Sequence, residues 1–489
     1  MTTFEDFQVG DYAVFDRSFS RADFETFSKL SGDANPLHGD SSYAARHFPD
    51  GVPILPLHLT MLPLSTIAGM IFPGEPSLYL GHEVNAVRAA KYDELLRYSA
   101  RIVSINRSHR ILTVRVLGLR GAAVVFDATM RVQARSEEWP SNRSELIREA
   151  GAGQALITGA SGEIGGAIAL VLAKAGWRLL LQDRGSEPRR ERLKEMIDAT
   201  GAQARFVAAD LSKPDQLETV LKAVGAAEDL DLVVHAASPD VTAAVADLVA
   251  VNFSAFQRIS DVAVPKLLSR QRGSIVFIGT MAVRAAPPGW ESYSGAKAMT
   301  MNLVDAIDRR FAPYGVRSYT LAPGFVATRF SEPYRSKWDA ALLPAEVAEA
   351  LIGLIEDRDR PGNTMLLEPG RALRGQFGFQ AGASEREPAS ADETIPSAPI
   401  APPTPEPSQA RDEIAPLVRS VLKLAATQAM MGGGLGLTPG WDSLKHIEII
   451  LSIEAHCGVH FKSSEIEATH RYDDLVALCA RKMQAGKTR

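Results

Sequence analysis

At 489 residues, with 46% hydrophobic and 23% charged side chains, the chain is too long for one core and too apolar for a disordered polymer. A net charge of -5 provides no basic field for a phosphate backbone, which excludes nucleic acid as a partner class. The two cysteines, Cys457 and Cys479, are too few for a disulfide framework and stand in no metal-like spacing, so a reducing cytoplasm and no metal are expected.

The first residues, Met-Thr-Thr-Phe-Glu-Asp-Phe, have neither the basic start nor the apolar run of a secretory signal. Phe27-Ser-Lys-Leu-Ser-Gly-Asp-Ala-Asn-Pro-Leu-His38 then places Asp33 and His38 in a turn marked by Gly32, Asn35 and Pro36. Dehydrating a 3-hydroxyacyl thioester requires removing a proton beside the carbonyl and protonating the departing hydroxyl, tasks that a carboxylate and an imidazole can share. A stray Asp/His pair in a loop is more often structural. Residues 51–74 contain no Asp, Glu, Lys or Arg, but Pro53, Pro56, His58 and Pro63 interrupt them, which predicts a buried helix rather than a membrane span. The whole string from Phe27 to His38 resembles the hydratase motif of the MaoC-like family, over about residues 5–135. The resemblance implies an α+β hot-dog domain over residues 1–140, its sheet wrapped around one central helix after Val52, with Asp33 and His38 catalytic in a dehydratase or hydratase. Pro56-Leu57 stands where that family tends to have His-Gly, and Arg88-Ala-Ala-Lys-Tyr-Asp-Glu94 where Pro and Gly-Asp are usual. A thioester-binding or dimerising remnant is the alternative.

Beyond a polar connector near 139–153, Gln154-Ala-Leu-Ile-Thr158 begins an alternation of short apolar runs and amphipathic stretches, the pattern of a parallel sheet with crossover helices. Ala155-Leu-Ile-Thr-Gly-Ala-Ser-Gly-Glu-Ile-Gly165 reads as a buried strand, a glycine-rich turn and a helix start, where backbone N–H groups and the helix dipole hold a diphosphate. Gly159, Ser161, Gly162, Ile164 and Gly165 are therefore candidate cofactor contacts. The next strand, Leu179-Leu-Leu-Gln-Asp183, ends in an acid placed for a ribose hydroxyl, and the adjacent Arg184 suits a 2′-phosphate, so NADH and NADPH both stand open. Tyr293-Ser-Gly-Ala-Lys297 puts an ammonium on the helix face of a phenol, expected to favour the ionised phenol, and such a tyrosine protonates a ketone oxygen as hydride reaches its carbon. This motif follows the apolar strand Gly273-Ser-Ile-Val-Phe-Ile-Gly-Thr280 and precedes Leu321-Ala-Pro-Gly-Phe325.

On those motifs residues 152–372 resemble the short-chain dehydrogenase/reductase family. The resemblance implies an α/β Rossmann fold with a doubly wound parallel sheet, acting as an NAD(P)-dependent 3-oxoacyl-carrier reductase. It implies a tetrad of Asn252, Thr280, Tyr293 and Lys297, with Asn252 holding a relay water, Asp210 at the adenine, and Pro323 and Gly324 beside the nicotinamide. Three departures stand out. Glu163 occupies the place of the second glycine, so its carboxylate must point outward if a diphosphate is to bind; His235-Ala-Ala-Ser238 replaces Asn-Asn-Ala-Gly; and Thr280 replaces the usual Ser.

Residues 373–410 are rich in Pro, Ala, Ser and Glu, with no aromatic after Ala381, and read as a disordered tether. A coil of about 30 residues spans roughly 30 Å. Thr438-Pro-Gly-Trp-Asp-Ser-Leu-Lys-His-Ile-Glu-Ile-Ile-Leu451 then predicts a loop feeding a helix, capped by Asp442, with Leu444, Ile447, Ile450 and Leu451 buried and Ser443 at the exposed first turn. Residues 412–485 resemble acyl carrier proteins. That implies a small all-α four-helix domain over 411–489, with 4′-phosphopantetheine attached to Ser443 by an external phosphopantetheinyl transferase.

Joined, the three segments suggest a multifunctional enzyme of fatty-acid or polyketide biosynthesis. A 3-oxoacyl thioester on the chain's own carrier domain would be reduced to 3-hydroxyacyl and dehydrated to enoyl, with an external ketosynthase and a homo-oligomeric state expected. The alternatives are a supplier of 3-hydroxyacyl groups with an idle amino-terminal domain, or a non-catalytic carrier scaffold.

Overall fold

A computed structural model describes residues 2–136, 138–139, 144–149, 153–185, 187–284, 286–333, 341–358, 362–375, 407–422, 443–457, 459, 461, 469 and 471–487. It divides into two units, residues 1–385 and 386–489.

The amino-terminal part of the first unit is built on six antiparallel strands: β1 (Tyr12–Arg17), β2 (Ser77–Ala86), β3 (Leu96–Asn106), β4 (Ile111–Arg120), β5 (Ala123–Ala134) and β6 (Ile147–Arg148), in the order β2-β5-β4-β3-β1-β6. The period of two that strands impose is plain in β4 and β5. Leu112, Val114 and Val116 alternate inward on one, and Phe126, Ala128, Met130 and Val132 on the other, all at most 1% exposed. In place of the one central helix expected, the charge-free stretch forms a broken helical run entered through Pro56: Leu57–Thr60, Pro63–Thr66 and the π-helical turn Ile67–Ile71. Leu59, Leu64, Ile67 and Ile71 point from it into the same core as the sheet, each contributing about 1.5–3 kcal/mol by burial. Tyr98 fixes the run by donating to the Thr60 carbonyl at 2.6 Å.

The second part carries an eight-stranded sheet of β7 (Gln154–Thr158), β8 (Arg178–Asp183), β9 (Ala204–Ala208), β10 (Leu230–His235), β11 (Gly273–Ile278), β12 (Val316–Pro323), β13 (Thr364–Glu368) and β14 (Arg371–Gly375). The order is β9-β8-β7-β10-β11-β12-β13-β14, parallel throughout except for the final hairpin, which extends beyond residue 372. This is the expected Rossmann-like α/β sheet. Successive strands run outward from β7 in both directions, so a crevice opens past the carboxyl ends of β7 and β10. A polar seam joins the two parts. Ser99 donates to the Ser269 carbonyl at 2.9 Å, and the buried Gln271 amide donates to the Ser99 and Arg115 carbonyls at 2.9 and 3.1 Å.

The second unit shows three helices among the described residues: Pro407–Leu422, Ser443–Cys457 and Tyr472–Lys487. Ile414, Val418, Ile449, Ile450, Ile453, Leu475 and Cys479 form their core. The first of them begins at Pro407, inside the stretch expected to be tether; nearly all the rest of that stretch, 376–406, lies outside the described residues. Of the expected stripe, Ile450 is buried; Leu444, Ile447 and Leu451 have side chains outside the described residues, and Ile449, which the stripe omitted, is fully buried.

Candidate active site

The carboxyl ends of the parallel strands surround a cavity of ≈ 1350 Å³. Its floor is the turn between β7 and α1 (Glu163–Lys174), lined by Gly159, Ser161, Gly162, Ile164 and Gly165. Gly159 sits at φ +68°, and a Cβ there would stand 2.8 Å from the backbone of Ala237; one on Gly165 would collide with the Gly159 carbonyl. Only glycine allows this close approach. Gly162 caps α1 without a side chain, leaving the first N–H groups of the helix open to an anion. Glu163, the departure that threatened this, lines the cavity itself, but it accepts from the Arg329 backbone N–H at 3.2 Å and stands 4.0 Å from the Arg329 guanidinium, so its charge is partly answered there.

Asp183, Arg184 and Asp210 line the far end. Asp183 is not the free ribose acceptor its position predicts. Its side chain is fully buried, Arg190 Nε donates to it at 3.0 Å, and the Gly185 N–H donates at 2.6 Å. The carboxylate is answered from within the protein, whereas Arg184 and Arg189 border the cavity. Asp210 accepts from the Ser212 N–H and hydroxyl at 2.9 and 2.8 Å.

At the near end Thr280, Tyr293, Lys297, Pro323 and Gly324 line the same cavity. Thr280 ends the strand segment and accepts from the Ala282 N–H at 3.2 Å, which leaves its own hydrogen to donate. Tyr293 and Lys297 belong to α2 (Glu291–Phe311) and are 6% and 2% exposed. Lys297 donates to the Ile278 carbonyl at 2.8 Å and lies 4.7 Å from the Phe277 ring centre and 5.7 Å from that of Tyr293. Burial pushes its ammonium down to about 7. Burial likewise pushes the Tyr293 phenol up, opposed by a hydrogen bond with the Ser238 side chain. The expected lowering of the phenol by its lysine neighbour is not found: desolvation raises it, and the lowering influence comes from Ser238 rather than Lys297.

Asn252 departs from its expected place. It lies in a π-helical turn, Ala250–Ala255, and does not line the cavity. Its amide donates to the Leu248 carbonyl at 3.0 Å, and its carbonyl accepts from the Thr300 hydroxyl at 3.1 Å. Its side-chain oxygen is buried without a hydrogen-bond partner among the described residues. Thr300, on the facing helix, also meets the Ala296 carbonyl at 3.0 Å, so its one hydroxyl hydrogen is shared between the two carbonyls.

Other contributors were not read from the sequence. Trp290 and Phe330 pack on the Tyr293 ring at centroid distances of 5.5 and 5.7 Å, and Phe325 meets Trp290 at 6.1 Å. The aromatics around the Tyr and Pro-Gly motifs were the available signal. His235, in the place of the usual asparagine, is fully buried between the Thr158 hydroxyl at 3.1 Å and the Val251 carbonyl at 3.0 Å. Burial, together with the Lys297 charge, pushes it down to about 3.

In the amino-terminal part, Gly32 ends the helix Arg21–Ser31 in the left-handed conformation at φ +77°, and Asn35 caps the short helix that carries His38. Asp33 and His38 are brought together, Oδ2 to Nε2 at 3.8 Å, too far for a direct hydrogen bond. His38 Nδ1 lies 2.8 Å from the Ile54 carbonyl, an acceptor only, which assigns a proton to Nδ1 and leaves Nε2 as the nitrogen that faces Asp33. Tyr92 and Arg21 hold the His38 carbonyl at 2.6 and 3.0 Å.

In the second unit, a helix opens at Ser443, whose side chain lies outside the described residues. Among the described residues no helix is long and apolar enough to cross a membrane, and no cluster of metal-ligating side chains occurs.

Residues 154–339 match the short chain dehydrogenase family. Over 190 residues the chain is 30% identical to a 3-oxoacyl-(acyl-carrier-protein) reductase of Synechocystis sp., covering 36% of this chain and 76% of that protein. It is 26% identical over 187 residues to the 3-oxoacyl-(acyl-carrier-protein) reductase FabG of Staphylococcus aureus, covering 36% and 76%. Among solved structures, a 3-oxoacyl (acyl-carrier-protein) reductase from Agrobacterium tumefaciens C58 with NADP bound is 29% identical, over 44% of this chain and 93% of that one, with a TM-score of 0.41.

Proposed function

Because this chain belongs, through residues 154–339, to the short-chain dehydrogenases, we propose that it is a multifunctional acyl-chain enzyme that reduces a 3-oxoacyl thioester with NADPH. One observation carries the reading: Thr280, Tyr293 and Lys297 border the same cavity as the glycine-rich turn. Likeness to 3-oxoacyl-(acyl-carrier-protein) reductases supports the substrate class. The fit of a dinucleotide rests on the Gly159 and Gly165 cradle and the open amino end of α1. NADPH is favoured over NADH because Asp183 is neutralised by Arg190 while Arg184 and Arg189 stand ready for a phosphate.

A bound nicotinamide supplies hydride to the carbonyl carbon. Thr280 holds the carbonyl oxygen through its hydroxyl hydrogen, and Tyr293 gives that oxygen its proton. Lys297, when charged, steadies the phenolate left behind. Trp290, Phe325 and Phe330 keep water from the exchange, which strengthens each of these interactions.

In the same reading His38 Nε2 takes the proton beside the thioester carbonyl and passes it to the 3-hydroxyl as the C–O bond breaks, with Asp33 orienting that hydroxyl, so that water leaves and the enoyl thioester forms. The acyl group rides on 4′-phosphopantetheine at Ser443, installed by an external transferase and charged through an external ketosynthase, in a homo-oligomer. A second reading stops at the 3-hydroxyacyl group. Pro56 favours it, since proline removes one N–H from the start of the helical run at which a thioester oxygen would be stabilised.

The test is to attach acetoacetyl-phosphopantetheine to Ser443 and to follow NADPH oxidation and product mass in the wild type, Tyr293→Phe and His38→Ala. Absence of NADPH oxidation by the wild type overturns the reductase. A hydroxyacyl product that never loses water removes the dehydration step and leaves the second reading.

A further inference from the structure

At the opposite ends of the parallel strands, away from the dehydrogenase cavity, lies a second hollow of ≈ 850 Å³. It opens where β10, β11 and β12 begin and reaches across to β3 of the amino-terminal sheet. Four guanidinium groups from four segments line it: Arg101 on β3, Arg272 before β11, Arg317 on β12, and Arg358 after the helix Pro344–Glu356.

Their partners are unequal. Arg317 is answered by Asp308 at 2.9 Å. Arg101 donates to the Arg270 carbonyl at 2.7 Å, and Arg358 to the Gly273 and Gly315 carbonyls at 2.7 and 2.8 Å, so among the described residues backbone oxygens orient both. Arg272 stands 3.8 Å from Asp231, a carboxylate lining the hollow, but Asp231 is already engaged by Arg270 at 2.8 Å. The other carboxylate at the hollow, Glu356, is exposed at its rim. A guanidinium held by carbonyls is positioned without being neutralised, and gathering several in a partly dry hollow leaves positive charge that an entering anion relieves. Burial and the neighbouring guanidiniums indeed push Arg101 down to about 10.

The facing wall is apolar. Val171 and Trp177, at and beyond the end of α1, and Ile352 and Ile355 on the helix Pro344–Glu356, complete the hollow. We propose that this hollow binds a small organic phosphate monoester, with its phosphate among Arg101, Arg272 and Arg358 and its apolar body along Trp177, Ile352 and Ile355. A phosphate suits the site better than a carboxylate, because planar donors converging from separate segments need acceptor oxygens in several directions, which a tetrahedral dianion supplies.

Octyl phosphate is the probe, with octanoate and inorganic phosphate for comparison, by titration calorimetry on the full chain. Octyl phosphate is expected to bind with Kd below about 1 mM, at least about tenfold tighter than either comparison compound. Arg272→Gln, on a partly exposed side chain, is expected to weaken it about tenfold, and Arg272→Lys, which keeps the charge and loses the fork, by less. Arg358→Gln should weaken it as well, but it also removes two structural hydrogen bonds, so the Arg272 variants decide. Arg184→Gln, in the dehydrogenase cavity, should leave the affinity unchanged. No binding of octyl phosphate, equal binding of octanoate or of inorganic phosphate, full affinity in Arg272→Gln, or loss confined to Arg184→Gln would each overturn the proposal.

Discussion

The two acid/base pairs proposed for this chain come from equally short motifs and end in opposite surroundings. Tyr293 and Lys297 are 6% and 2% exposed, walled by aromatic rings and shifted by burial. Asp33 and His38 keep side chains 33% and 12% exposed, held in place by a frame of hydrogen bonds to backbone carbonyls. Spacing alone brings the groups together in both cases; enclosure decides how each is tuned. The buried pair depends on its dry walls, and the open pair on the groups that fix its loop.

The sharpest way to break the comparison is to disable each pair and measure both reactions. Tyr293→Phe should lower 3-oxoacyl reduction by about 10³-fold, the scale of a lost general acid. His38→Ala should lower dehydration by about 10²-fold. Each should leave the other reaction near its wild-type rate. If Tyr293→Phe also stopped dehydration of a supplied 3-hydroxyacyl thioester, the two pairs would not be separate sites.

The next effect concerns the buried interior behind the pair. His235 lies folded at about 3 against an ordinary value of 6.5, lowered by burial and then by Lys297. Between those values the unfolded chain binds more protons than the folded one, so stability present above pH 6.5 is lost as pH falls toward 3. The loss is on the order of a few kcal/mol. His235→Asn should flatten this acid limb in thermal melts between pH 6.5 and 4, provided the amide still meets Thr158 and the Val251 carbonyl. Superimposable melting profiles would mean that the histidine is not kept neutral by its burial.

Legibility followed the same division. The glycine-rich turn, Thr280, Tyr293, Lys297 and the Pro-Gly flank could be read because close approach and helical spacing are local demands, and the cavity gathers them all. Asn252 was legible as a motif position, while the partner of its backbone carbonyl, Thr300 on another helix, was not. Asp183 was legible as the acid ending its strand, while Arg190, seven residues on, cancels its charge and was not. Glu163 looked hostile to a diphosphate until Arg329, far along the chain, was seen to engage it. Partners chosen by the fold leave no spacing to read.

That makes Arg190 a third test, now of how the partner of a lining residue sets cofactor choice. Arg190→Ala should release the Asp183 carboxylate, which then repels a 2′-phosphate and accepts ribose hydroxyls. The ratio of kcat/KM for NADPH over NADH is expected to fall about tenfold. An unchanged ratio would show that Arg184 and Arg189 set the preference without help from a silenced Asp183.

The smallest effect belongs to the open pair, and it tests whether a hydrogen-bonded frame does there what burial does elsewhere. Arg21 reaches from its helix to the His38 and Gly39 carbonyls at 3.0 and 2.6 Å and lies over the rings of Phe24 and Tyr92. It is exposed, so Arg21→Ala should cost only about 1 kcal/mol of stability. Tyr92 would still hold the His38 carbonyl, but the turn would lose its second anchor and the 3.8 Å separation of Asp33 from His38 would no longer be fixed. Dehydration should therefore fall by about tenfold while reduction is untouched, and Arg21→Lys, which restores the charge without the two-pronged reach, should recover only part of it. Full recovery by lysine would assign Arg21 an electrostatic role; a fall in reduction as well would assign it to the fold as a whole.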